Sequence, residues 1–155
     1  MLVQLSGSAV FGVDAHLITI EVNVDKGIGY HLVGLPDKAI KESNYRIASA
    51  LKNIGYKLPG KKITINMAPA DLRKEGSAYD LPIALGILSA SNQIKASAIS
   101  DYLIMGEIAL DGAIRPIRGA LPIAIQALKM GLNDFYCPMK MRKKRLSLKG
   151  LRCME

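Results

Sequence analysis

Along residues 3–13, 16–24 and 28–35 apolar and polar positions alternate, most cleanly where Leu17, Thr19, Glu21 and Asn23 interleave with Ile18, Ile20, Val22 and Val24. A period of two sends successive side chains to opposite faces of a strand, so the pattern predicts three antiparallel strands, each with one face toward a core. Asp14-Ala15 and residues 25–29 are the expected turns, because Asp and Gly tolerate the dihedrals of tight reversals. After Pro36 the period lengthens. Ile40, Ile47, Leu51 and Ile54 fall on one face of a helix that Asp37 would cap and Gly55 would stop. Residues 61–68 return to strand, with Ile63, Ile65 and Met67 on one side. A helix over 81–92 follows, its start marked by Pro82 and its N-cap assigned to Asp80 rather than Ser77. Residues 102–109 read as a strand, Asp111-Gly112 as a turn, 120–130 as a helix ended by Gly131, and 134–137 as a last short strand. The order βββ-α-β-α-β-α-β describes one α+β domain with a mixed sheet and packed helices, with no internal linker or repeat.

The 155 residues are 50% hydrophobic and 22% charged, which suits a single globular domain. Cys137 and Cys153 form no CxxC pair, so neither a disulfide framework nor a zinc site is expected, and a reducing, cytoplasmic setting fits. The longest uncharged run, Leu81 to Ile94, is shorter than the roughly 20 residues a membrane helix needs, so no membrane partner is expected. The formal charge of +8 is unevenly spread: residues 141–155 carry +5 of it, leaving +3 for residues 1–140. With two Phe and no Trp, an aromatic platform for single strands is poorly supported.

Several short strings match functional motifs in unsuitable settings. Gly55 to Lys61 fits GxxxxGK, but it follows a helix, precedes a strand and continues with Lys62, where a phosphate loop needs the reverse order and a Ser or Thr. Gly27, Gly29 and Gly34 lack dinucleotide spacing. Ser49 to Lys52 matches Ser-x-x-Lys in the middle of a helix, and His16 and His31 stand apart from other metal-ligand residue types. The segment Ala68 to Asp80 is different, since it concentrates five charges in a strand-to-helix connection, where α/β folds place sites. Its bland reading is a solvated loop held by its own ion pairs. Its functional reading is a docking or ligand surface.

Three segments carry a family likeness: Val33-Gly34-Leu35-Pro36-Asp37, then Asn66-Met67-Ala68-Pro69-Ala70-Asp71-Leu72-Arg73-Lys74-Glu75-Gly76-Ser77-Ala78-Tyr79-Asp80-Leu81-Pro82-Ile83-Ala84, then Gly106-Glu107-Ile108-Ala109-Leu110-Asp111-Gly112-Ala113-Ile114-Arg115-Pro116-Ile117-Arg118-Gly119. Over residues 1–140 the chain resembles the N-terminal domain of the ComM/YifB proteins, also called magnesium chelatase ChlI-like proteins. The resemblance implies a Lon protease domain-like fold of the ribosomal-protein type (S-five domain 2-like). It also implies a following AAA+ ATPase domain in cis, absent from these 155 residues, and a hexameric homo-oligomer acting on DNA in branch migration during natural transformation. ATP and magnesium would serve the full-length family, with no cofactor or metal in this piece.

A Lon domain hydrolyses peptides with a Ser activated by a Lys, and the resemblance puts those positions at Ala78 and Leu121. Neither side chain can attack a carbonyl or carry a proton. The expectation is therefore a non-catalytic domain supporting ring assembly or DNA handling. Asp71, Arg73, Lys74, Glu75, Ser77, Arg115 and Arg118 are the candidate partner or DNA surface. Two alternatives stand beside it: a residual serine hydrolase using Ser77 with Lys74 as the nearest base, and an autonomous DNA-binding module. Residues 141–155 depart from the family's continuation and are expected to be a frameshifted, non-native basic tail, disordered or loosely docked.

Overall fold

The computed structural model describes residues 1–95, 97, 99, 101–130 and 134–136. β1 (Leu2–Phe11) and β2 (Asp14–Asp25) form a long antiparallel hairpin in continuous register from Leu2↔Asn23 to Phe11↔Asp14. The reversal is Gly12-Val13, not the expected Asp14-Ala15. Gly12 supplies the positive φ, +61°, that a two-residue hairpin loop requires at its first position.

β3 (Gly29–Val33) is not the third antiparallel strand that its alternation suggested. β4 (Lys62–Ala68) lies between it and β2, antiparallel to β2 and parallel to β3. Alternation reports which face of a strand is buried and says nothing of its neighbour. With β5 (Tyr102–Ile104) and β8 (Asp134–Tyr136) the sheet runs β3-β4-β2-β1-β5-β8, and β2 alone opposes the other five. This is a mixed α+β architecture.

The 37–54 helix is split at Glu42 into α1 (Lys38–Lys41) and α2 (Ser43–Asn53). Asp37 caps α1, its carboxylate accepting the Ile40 N–H at 2.8 Å. Ile40, Ile47 and Leu51 are buried, whereas Ile54 is 49% exposed because α2 ends one residue before it. Gly55 closes α2 as expected: Tyr56 N–H reaches Leu51 O at 2.8 Å and Gly55 N–H reaches Lys52 O at 3.3 Å, a Schellman closure.

α3 (Asp80–Ala90) buries every residue except Leu85 and seats Gly86 directly against Val22 and Leu5 on the core face of the sheet. A 3-10 turn, Ser77–Tyr79, leads into it, so Asp80 lies inside the helix and its side chain does not cap. α4 (Ala120–Lys129) buries Ile123, Ala124 and Ala127, and Gly119 ahead of it touches Val10, on the opposite face from Leu5. The predicted 102–109 strand breaks after β5. Gly106 bonds to the start of α3 through Leu81 N–H (2.9 Å) and Ala78 O (2.7 Å), and the chain continues as the ribbon β6 (Glu107–Ile108) and β7 (Ile114–Arg115). Asp111-Gly112 turns that ribbon, with Asp111 accepting the Ala113 N–H. The expectations for Gly131, Cys137 and the 141–155 tail lie outside the described residues.

Candidate functional site

The charged connection between β4 and α3 is anchored from below. Lys74 is wholly buried; its Nζ donates to Gly34 O at 2.9 Å and to Pro69 O, and its backbone bonds Leu35 O and the Asp37 N–H. Burial lowers the Lys74 pKa, and the Asp71 charge opposes that shift. Lys74 is therefore not part of an exposed partner surface, as the charge run suggested, but the post under the loop. A long apolar stem lets it cross the layer and satisfy carbonyls that would otherwise be orphaned. Asp37 adds a second tie, since one carboxylate oxygen caps α1 while the other accepts the Gly76 N–H at 2.9 Å.

With Lys74 turned inward, its neighbours turn outward. Arg73 and Glu75 pair at 2.9 Å, with side chains 70% and 63% exposed, and Asp71 is exposed as well. Ser77 donates its hydroxyl to Glu107, whose other oxygen accepts from Arg115 at 3.1 Å. The Ser77 bond, and then Arg115, hold the Glu107 carboxyl below its ordinary range against the opposing effect of burial. Beneath this group Arg46 grips the buried Asp80 with two bonds of 2.7 and 2.8 Å and also donates to Ala39 O. Asp80, the expected cap, thus works as a buried anion that fixes α3 against α2.

Beside the loop lies a cleft of about 220 Å³ between the hairpin end of β1, the 73–79 segment and the start of α4. Arg73, Glu75 and Arg118 stand around it, Val10, Phe11, Met105 and Ile123 give it apolar walls, and Ala78 lies in its lining. Its two hydroxyls are occupied by backbone carbonyls: Ser8 donates to His16 O at 3.1 Å, and Tyr79 donates to Ser8 O at 2.9 Å. Leu121 is 49% exposed on the first turn of α4.

Of the seven candidates, then, Arg73, Glu75 and Arg118 meet at the cleft, Ser77 and Arg115 meet through Glu107, Asp71 is exposed on the loop, and Lys74 supports it from below. Asp37, Glu107 and Arg46 were not chosen from the sequence. Asp37 and Glu107 nevertheless lie in the motif segments, where a carboxylate next to a turn was the available signal.

The GxxxxGK string starts where a helix ends. Gly55 is the residue that closes α2, so the segment faces the carbonyl end of a helix, where partial negative charge repels an anion. Among the described residues no group of three or more His, Cys, Asp or Glu is placed to hold a metal ion, and no helix is long and apolar enough to cross a membrane.

Residues 20–141 match the family described as subunit ChlI of Mg-chelatase. The chain is 51% identical over 124 residues to the uncharacterized protein YifB of Escherichia coli, covering 79% of this chain and 24% of that protein. It is 49% identical over 122 residues to the competence protein ComM of Haemophilus influenzae, covering 78% and 24%. It is also 27% identical over 152 residues to Lon protease 2 of Bacillus subtilis, covering 86% and 27%. The chain spans about a quarter of the length of these relatives.

Proposed function

Because the chain belongs to the family of Mg-chelatase subunit ChlI, together with the YifB and ComM proteins, we propose that it is a non-catalytic, Lon-type domain that works beside a AAA+ ATPase, supporting ring assembly or DNA handling. The likeness to Lon protease 2 and the mixed sheet with several helices support the Lon-type fold. One observation carries the functional reading: the cleft is lined by Ala78, the residue to which the Lon resemblance assigns the nucleophile, and both of its hydroxyls are bonded to backbone carbonyls. A hydroxyl that donates its proton to a backbone carbonyl is not handing it to a base, as an activated nucleophile must.

The hydrolase reading through Ser77 has less support. Its hydroxyl donates to the Glu107 carboxylate, whose pKa is lowered first by that bond and then by Arg115, which makes a weak base, and the Lys74 amine is engaged by two carbonyls. In the proposed setting ATP and magnesium belong to the ATPase part of a longer, cytoplasmic, hexameric protein. DNA is its substrate, and the exposed Arg73, Glu75 and Arg118 face a partner. The test is the full-length Haemophilus influenzae relative with charge reversals at the positions matching Arg73 and Arg118. Impaired assembly or DNA branch migration with an unchanged melting temperature is the expected result. Unchanged assembly and DNA work would refute a partner surface at this cleft.

A further inference from the structure

We propose that the open outer edge of β1 at Val10, inside the cleft, receives an extended acidic peptide segment of a partner protein, which adds to the sheet as a short extra strand. The inference deepens the reading of the cleft as a non-catalytic partner surface and rests on it.

The two-residue loop Gly12-Val13 makes Phe11↔Asp14 a hydrogen-bonded pair, so Ala9↔His16 is one as well, while Ser8 and Val10 direct both N–H and C=O away from β2. Ser8 displays that direction: its N–H meets the Met105 sulfur at 3.3 Å and its carbonyl receives the Tyr79 hydroxyl. β5 meets β1 at Ser6↔Leu103 and ends at Ile104. Two residues beyond Ser8, the outward N–H and C=O of Val10 have no partner among the described residues. Ala9, Val10 and Phe11 all line the cleft. An unpaired strand edge is a template for another strand, and here it lies at the bottom of a concave site rather than along a flat rim.

The remaining lining selects the peptide. Phe11, Met105 and Ile123 offer apolar contacts for the side chains that alternate toward the cleft. Arg73 is already neutralised by Glu75, whereas Arg118 is exposed and has no ion pair among the described residues. An acidic residue in the peptide supplies that pair. The 220 Å³ volume is smaller than the roughly 300–1,000 Å³ of typical small-molecule pockets and suits a few residues of extended chain.

The experiment pans a phage-displayed library of random peptides on the intact chain, then titrates the selected peptides, free in solution, into nitrogen-15-labelled protein. The expected result is a set of acidic peptides that move the Val10 amide resonance. Their affinity should fall about tenfold or more with Arg118→Glu or when alternate peptide amides are N-methylated, and stay unchanged with Lys129→Glu. An empty selection, binding indifferent to N-methylation, or displacement of the Val10 signal by an oligothymidine but by no peptide would overturn the proposal. Cleavage of a bound peptide would refute the non-catalytic reading while leaving docking intact. Absence of both binding and cleavage would refute docking alone.

Discussion

Lys74 and Arg73 are adjacent, equally charged and opposite in role. Arg73→Ala removes an exposed ion-pair partner and should change unfolding stability by no more than about 0.5 kcal/mol. Lys74→Ala leaves two inward carbonyls without their donor and opens space under the loop, and should cost about 2–4 kcal/mol in urea unfolding. Equal losses for the two would contradict this assignment. Nothing in the run Arg73-Lys74-Glu75 distinguishes them, because a charge count does not record which side chain faces inward. Glu107 gives a pH signature. Its folded pKa is lowered, so its stabilisation is fully present above the ordinary glutamate value of about 4.3 and disappears as pH falls through the folded pKa. Melting temperature should therefore drop more steeply below about pH 4.3 in the natural chain than in Glu107→Gln, with Ser77→Ala in between.

Elements were legible in proportion to how far local chemistry determines them. The burial of Ile18, Ile20, Val22, Ile63, Ile65 and Met67, the Asp37 cap and the Gly55 stop follow from period and capping, and all are present. What the sequence did not show was set by distant contacts. β4 inserts between β2 and β3, and Gly106 bonds to α3 and cuts one strand into two. Gly34 marks where β3 leaves the sheet across β4. Its φ is +98°, and a Cβ there would stand 2.1 Å from Met67 O. Gly34→Ala should thus lower stability by roughly 2 kcal/mol or more, since both backbone strain and a clash with main chain oppose it. Thermal unfolding measures this, and a neutral result would mean that the crossing is not as close as described. The same crossing supplies the carbonyl that holds Lys74, so this variant should also loosen the loop at the cleft.

At the scale of the whole molecule, the sheet gathers the three motif segments at one place. Val33 to Asp37 leaves β3, Asn66 to Ala84 runs from β4 into α3, and Gly106 to Gly119 runs from β6 toward α4; Lys74, Asp37, Asp80 and Glu107 tie them together. The ties engage Lys74, Asp37, Ser77 and Asp80, and what remains exposed is a charged rim around a small apolar cleft. The family likeness was readable because these segments are long and ordered. The contacts of Ser77 and Lys74 were not readable there, because their partners Glu107 and Gly34 lie 30 and 40 residues away along the chain. Whether this domain does serine chemistry is read by incubating the intact chain with a fluorophosphonate and recording its mass. An unmodified mass is the expected result. A one-equivalent adduct that forms on the natural chain and is lost in Ser77→Ala would contradict it.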